Sequence, residues 1–68
     1  MMQIVVAWSD GHQRHAHLWD GNDTTAFLAA RHHASQNPGI HVYTYQDDPN
    51  PLDRARRDLR ADLRGRPI

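Results

Sequence analysis

The stretch MQIVVAWSDGHQRHAHLW, residues 2–19, contains two apolar segments separated by a turn signal. Residues 2–8 are rich in β-branched side chains, which is typical of a strand. Residues 9–11, Ser-Asp-Gly, predict a tight turn, because Asp tolerates turn geometry and Gly adopts a positive φ without steric cost. Residues 13–19 alternate again between apolar and polar side chains, so the whole stretch predicts a β-hairpin.

A helix and a third strand follow the hairpin. Asp23 is a favourable N-cap for a helix that begins at Thr24 and ends before residues 37–39, Asn-Pro-Gly. Residues 40–46 alternate and predict a strand. Because strand one is the most apolar of the three, we place it in the centre and predict a sheet with the strand order 2-1-3.

The C-terminal segment predicts a basic amphipathic helix over residues 50–65, capped by Asn50. The chain is therefore predicted to be one small α+β domain over residues 1–68, with the element order ββαβα. Residues 1–46 form its core, a three-stranded sheet with one helix packed on one face. The apolar stripe of the C-terminal helix consists of Leu52, Ala55, Leu59 and Leu63.

The length of the hairpin loop determines which side chains share a face of the sheet. A three-residue loop at residues 9–11 would place Ile4 opposite Ala16, and a slip of one residue would turn the second strand over. On this register, the face for the first helix carries Met2, Ile4, Val6, Ala16, Leu18, Ile40 and Val42. The opposite face, the predicted aromatic-histidine face, carries Val5, Ala7, His15, His17, Trp19, His41, Tyr43 and Tyr45.

The predicted aromatic-histidine face is too apolar to remain bare on so small a protein. The C-terminal helix, a second copy of the chain or a ligand could each cover it. The chain has no Cys and therefore no disulfide, and a core from fewer than about 70–80 residues rarely supplies more than about 3–5 kcal/mol. We therefore expect a homodimer, with these interface residues: His15, His17, Trp19, His41, Tyr43, Tyr45, Leu59 and Leu63.

Patterns for catalysis and metal binding are weak. Ser9, Asp10 and His12 are neighbours on one turn, whereas a catalytic triad converges from separate elements. His15 and His17 could share a metal ion with a nearby Asp, but a clear fourth ligand is missing. We expect no enzyme activity, no cofactor and no metal. The histidines instead predict that a dimer weakens on acidification through about pH 6.

The formal net charge is zero, but the charges are unevenly distributed. Residues 1–50 carry a net charge of −3 and residues 51–68 a net charge of +3. A basic helix can follow phosphates and an aromatic sheet face can stack bases, so nucleic-acid binding is the alternative function. Asp at i, i+4 spacing from Arg, as in Asp53 and Arg57, favours a solvated helix face instead. The predicted charged surface is Arg56, Arg57, Arg60 and Arg64.

The hairpin from Asp10-Gly11-His12-Gln13 to His17-Leu18-Trp19 resembles that of the MbtH-like proteins, small partners of peptide synthetases. The later Gly-Trp and Trp-Thr segments of that family are absent, and so are its three strands before the helix. The resemblance is confined to the hairpin, and it implies no function for the chain.

These features together predict a small non-enzymatic interaction protein, either a regulator, an inhibitor or an assembly subunit. We expect it to work as a homodimer that binds another protein. The apolar run at residues 4–8 is too short for a signal sequence or a membrane span, so we expect a cytoplasmic location. Eight Arg without any Lys are typical of high-GC coding, which suggests a bacterium or its phage.

Overall fold

The computed structural model of the chain describes residues 2–19, 21 and 23–64. The strands form one open, antiparallel sheet in the order β2-β1-β3, which leaves β2 and β3 at its edges. The predicted fold class and strand order are therefore confirmed, and the predicted end of the last helix at Gly65 lies outside the described residues. The elements are β1 (Met2–Ser9), β2 (Arg14–Leu18), α1 (Thr24–Gln36), β3 (His41–Gln46) and α2 (Pro51–Arg64).

The hairpin loop is one residue longer than predicted. Strand pairing continues to Ser9 opposite Arg14, so residues 10–13 form a loop of four residues. Asp10 closes this loop, because its Oδ1 accepts a hydrogen bond of 3.0 Å from the N–H of Gln13. The backbone N–H of Asp10 also donates to the carbonyl of Gln13 at 3.0 Å. An Asp side chain that accepts a hydrogen bond from a backbone N–H a few residues further along the chain stabilises a turn.

The longer loop turns β2 over relative to the prediction. Ala16 pairs with Ala7 and not with Ile4, so Ala16 and Leu18 lie on the face that α2 covers. Because side chains alternate along a strand, the residues between and beyond them turn to the α1 face. The predicted aromatic-histidine face is therefore wrong for three of its members: His15, His17 and Trp19. Its β3 members are placed as predicted, since Tyr43 pairs with Val5.

Helix α1 packs on one face of the sheet through small side chains. Its N-cap is Asp23, as predicted, and the Oδ1 of Asp23 accepts a hydrogen bond of 2.8 Å from the N–H of Ala26. Ala30 is fully buried against Ile4 and Val6. Among the described residues, α1 contacts β1 and β3 but makes no contact with β2. The α1 side of β2 is therefore not covered by a helix.

Helix α2 covers the opposite face of the same sheet. Asn50 caps it, as predicted, and its Oδ1 accepts a hydrogen bond of 3.3 Å from the N–H of Asp53. Ala55 and Leu59 are fully buried against a cluster that includes Ala16. The helix lies mainly over β2 and β1. Of the three covers considered for this face, the structure shows the chain's own second helix.

The core is thin because much of it is alanine. The buried hydrophobic side chains of the described residues are Ile4, Val5, Val6, Ala7, Ala16, Ala30, Ala55 and Leu59. Half of them are Ala, and the aromatic side chains lie at the borders of the core instead of inside it. Within the described part of the chain, neither helix has the length and apolar composition needed to cross a bilayer.

Candidate binding groove

A groove lies on the α1 side of the sheet, between β1, the end of β2 and the segment that joins α1 to β3. It has a volume of about 710 Å³. The groove exists because α1 packs over β1 and β3 and leaves the β2 side of this face open. We call it the Trp groove, and its main lining residues are Val6, Trp8, His17, Trp19, His33 and Ile40.

Trp8 forms one wall of the Trp groove as part of a stack of three rings. The indole lies 5.2 Å from the imidazole of His15 and 5.2 Å from that of His17, measured between ring centroids. The interplanar angles are 22° and 21°, so the rings are nearly parallel. The stack follows from the register, which places His15 directly opposite Trp8 and His17 two pairs further along, on the same face of the sheet.

Trp19 and His33 form the facing wall. The N–H of Trp19 donates a hydrogen bond of 2.8 Å to the carbonyl of Ile4, which continues the sheet pairing just beyond β2. The indole of Trp19 lies 5.4 Å from the imidazole of His33 at an angle of 36°. Asn37 holds the end of α1 here, because its Nδ2 donates to the carbonyl of His33 at 2.7 Å. The backbone on each side of this wall, at Trp19 and at His33, is thus held by a hydrogen bond.

Asp10 orients the outer ring of the Trp8 stack. Its Oδ2 lies 2.7 Å from the Nε2 of His15. This hydrogen bond, together with the one from the N–H of Gln13, holds the pKa of the Asp10 carboxyl below its ordinary value. The Asp10 carboxylate is exposed, so its role is to position the imidazole of His15 and the turn.

The Trp groove carries no carboxylate and no guanidinium among its described lining residues. Its polar groups are imidazoles, amides and one hydroxyl, which suit uncharged donors and acceptors. A phosphate would find no Arg in this lining. Among the described residues, no three His or Asp side chains are close enough together to hold a metal ion.

The predicted β3 interface residues lie under α2 instead of on an open surface. The hydroxyl of Tyr45 donates a hydrogen bond of 2.6 Å to the Oδ2 of Asp58, and the hydroxyl of Tyr43 donates to Asp62. Burial, and then Asp58, raises the pKa of Tyr45 above its ordinary value. His41 stacks on Tyr43 with ring centroids 6.2 Å apart. These residues therefore join α2 to the sheet.

The predicted charged surface is exposed along α2 at all four positions, Arg56, Arg57, Arg60 and Arg64. Arg57 lies 3.2 Å from the Oδ2 of Asp53, so the expected i, i+4 ion pair is present. A second pair joins Arg54 to Asp58 at 3.7 Å. Two of the arginines along the helix, Arg54 and Arg57, thus each form an ion pair with an aspartate.

Two residues of the Trp groove were missed by the sequence reasoning. Trp8 shares the even-numbered positions of Ile4 and Val6 in β1, so strand alternation alone would have placed it on the α1 face. His33 lies in the last turn of α1, where the helix dipole favours a cation, and that position alone is a sufficient reason for a histidine. No local signal indicates that it faces Trp19, because that contact depends on where α1 crosses the sheet.

Comparisons of the chain with protein-family models, with curated proteins and with solved structures found no match. The fold and the groove define the chain as a small α+β domain with an open aromatic groove beside an edge strand, and the described lining of this groove carries no carboxylate and no guanidinium.

Proposed function

We propose that this chain is a small non-enzymatic interaction protein, a regulator, inhibitor or assembly subunit, that acts as a homodimer. Its partner is another protein, which inserts an uncharged apolar segment into the Trp groove. The observation that supports this proposal is the lining of the groove, in which two indoles and two imidazoles face each other and no described lining residue carries a carboxylate or a guanidinium. We propose that the chain acts in the cytoplasm of a bacterium or a phage-infected host; the Arg-rich, Lys-free composition supports the bacterial or phage origin.

The chemistry of the groove favours a protein segment as its occupant. Tryptophans are enriched at the centres of protein interfaces, because they bury a large area with few rotatable bonds. Here Trp8 and Trp19 are held in place by ring stacking and by strand pairing. An apolar side chain would displace water from between them, and the imidazoles could bond backbone groups of the segment.

Nucleic-acid binding is the second candidate, and it depends on the arginines of α2. The tyrosines of the predicted stacking face do not support it, because Tyr43 and Tyr45 pack under α2 with their hydroxyls bonded to aspartates. Arg57 is also paired with Asp53. The described lining of the groove also offers no Arg for a phosphate backbone.

Random peptides displayed on phage test this proposal without requiring the partner protein itself. We expect selection on the immobilised protein to enrich peptides with large apolar side chains and few charges. Affinities of the enriched peptides, measured by fluorescence anisotropy, should fall at least about tenfold for Trp19→Ala, as at an interface hot spot. They should also fall for His33→Ala and stay unchanged for His32→Ala, since the adjacent His32 does not line the groove.

Circular dichroism on each variant controls for loss of the fold. Enriched peptides that bind Trp19→Ala and His33→Ala as well as they bind the wild type would contradict the proposal. A labelled single-stranded DNA, titrated at several salt concentrations, tests the second candidate. Salt-dependent DNA binding that is lost in Arg56→Ala and Arg60→Ala would favour that candidate instead.

A further inference from the structure

We infer that the second copy of the chain docks along the free edge of β2, so that two sheets join into one of six strands and the two Trp grooves become one trough. This inference rests on the homodimer of the proposed function and names its surface. The site for the partner protein is then incomplete in a single copy.

The hydrogen bonds of the hairpin show which backbone groups of β2 face the edge. The N–H of Trp19 donates to Ile4, and the N–H of Asp10 donates to Gln13. In an antiparallel ladder, hydrogen-bonded pairs alternate with pairs that are not bonded. The odd-numbered residues of β2 therefore bond to β1, and the N–H and C=O groups of Arg14, Ala16 and Leu18 point away from it.

These outward groups are self-complementary. They are evenly spaced about Ala16, so a twofold axis through Ala16, perpendicular to the sheet, pairs Ala16 with Ala16 of the partner subunit. Arg14 then lies opposite Leu18 of the partner subunit, and every outward N–H and C=O of the three residues finds an acceptor or a donor. An isologous interface requires this kind of symmetry.

The edge of β2 also lacks the features that usually prevent an edge strand from pairing with another chain. The strand has no proline and no lysine, its pairing with β1 runs without a bulge, and its one charged residue, Arg14, is at its start. Leu18 is 56% exposed. Pairing would cover Leu18 with the aliphatic part of the partner's Arg14 side chain.

The positions of the helices fit this pairing. Neighbouring strands are about 4.8 Å apart, and α2 lies over β1 and β2. The two α2 helices of the dimer would therefore be about two strand spacings apart, or about 10 Å, which is an ordinary packing distance for two helices. The dimer thus brings the α2 helices into contact on one side of the sheet.

The α1 side of the same dimer remains open. Because α1 lies over β1 and β3, the two α1 helices would be about four strand spacings apart, or about 19 Å. A helix of the partner protein placed midway between them would have its axis about 9.5 Å from each α1 axis, which is an ordinary packing distance for helices. The floor of the trough would carry Trp8, His15 and His17 from both copies.

The β3 edge is less suited to the same role. A β3 pairing would set the two α1 helices about two strand spacings apart, so it would close the α1 side of the sheet and leave no trough for the partner protein. The segment after β3 is also held back onto the sheet, because the side chain of Gln3 bonds both the N–H and the C=O of Asp48, at 2.9 and 3.1 Å. Among the described strands, only β2 combines a free edge with a face that α1 does not contact.

Disulfide cross-linking tests both the surface and the register. The chain has no Cys of its own, so every disulfide that forms must join engineered cysteines. The inferred pairing places residue 15 opposite residue 17 of the partner as a pair without hydrogen bonds, with Cα atoms about 4.5 Å apart, within reach of a disulfide. We expect an oxidised mixture of His15→Cys and His17→Cys to cross-link efficiently, and each variant alone to cross-link poorly.

A matched control uses the other edge. Thr44 is exposed at the middle of β3 with its N–H turned away from β1, so Thr44→Cys would cross-link with itself if the β3 edges paired. Edge prolines give a second measurement: Arg14→Pro should shift the light-scattering mass from dimer towards monomer, and Thr44→Pro should leave a dimer. If Arg14→Pro fails to fold by circular dichroism, the cysteine variants alone decide.

The outcomes separate the inference from the proposed function. A wild-type dimer with no cross-link between positions 15 and 17, or with a cross-link at position 44, overturns the β2 interface and leaves the homodimer standing. A wild-type mass of one copy at all concentrations overturns the homodimer and this inference together. Peptide binding to the Trp groove is measured separately, and a single copy that still binds the enriched peptides would leave that part of the proposed function standing.

Discussion

Asp10 shows how one side chain fixes the geometry of the hairpin and of the groove beside it. One of its oxygens closes the loop on the N–H of Gln13, and the other holds the Nε2 of His15. The first contact sets the register of β2, and the second keeps the His15 ring against Trp8. A single carboxylate therefore connects the turn to the wall of the Trp groove.

The titration of Asp10 provides a measurement of these contacts. We expect carboxyl NMR to give Asp10 a pKa below the ordinary value of 3.8, because the carboxylate accepts hydrogen bonds from His15 and Gln13. In His15→Ala the pKa should move back towards that value. His12→Ala is the matched control, since its side chain makes no hydrogen bond to Asp10. An equal shift in both variants would contradict the assigned cause.

The sign of the accompanying stability change follows from the same pKa. A carboxyl whose pKa is lowered in the folded state stabilises the fold above its unfolded pKa, and this contribution is lost as the pH falls through the folded value. The wild type should therefore lose more stability than Asp10→Asn when the pH is taken below 3.8. Urea unfolding at a series of acidic pH values measures the difference.

At the scale of elements, local signals predicted each helix and strand, but not how β2 sits in the sheet. Asp23, Asn50 and the Asn-Pro-Gly segment are signals contained in a few residues, so the helix limits could be inferred. The register of β2 depends on whether Ser9 belongs to the strand or to the turn. That choice is made by a side-chain hydrogen bond of Asp10, which composition and periodicity do not reveal.

The Trp groove could be predicted only in part for the same reason. Trp19, His15 and His17 were predicted to share one face of the sheet as interface residues. They do lie on one side of the sheet. Their assignment to the face of the tyrosines was wrong because it depended on the register. The contact of His33 with Trp19 additionally depends on the offset of α1 across the strands.

Helix α2 offers a test of which apolar residues belong to the core. Leu59 is fully buried and Leu63 is 46% exposed, although both lie on the predicted stripe. We expect Leu59→Ala to destabilise the fold by about 2–5 kcal/mol, which approaches the whole stability of so small a core. Leu63→Ala should cost less than about 1 kcal/mol. Urea unfolding monitored by circular dichroism measures both, and equal losses would contradict the observed packing of α2.

At the scale of the whole molecule, the two helices are offset across the sheet. One lies over β1 and β3, and the other over β2 and β1, so each face of the sheet has a covered and a less covered part. With a core that is half alanine, such a chain gains stability from any surface that covers the exposed part. The offset of α1 therefore accounts for the Trp groove. The edge of β2 beside this groove is free because β2 is the outer strand of the sheet.

The inferred dimer has a predictable response to acid. Its β2 pairing sets His15 against His17 of the partner subunit, and like charges directly opposite each other destabilise a strand pair. Other charged or titratable side chains near this pairing include Asp10, which contacts His15, Arg14 at the start of β2, and His33 of α1, which contacts Trp19. Asp10 compensates one imidazolium per copy through its contact with His15, so protonation leaves an excess of positive charge across the interface.

We therefore expect the light-scattering mass to fall from two copies towards one as the pH is lowered from neutral into the mildly acidic range, and to recover on neutralisation. His17→Asn should remain dimeric across this range, because it removes one charge of each opposed pair. His41→Asn should retain the acid response of the wild type, because His41 lies on the α2 face beside Tyr43. Added salt should weaken the response by screening the charges. A dimer whose mass does not change with pH would show that these imidazoles do not face each other across the β2 edge.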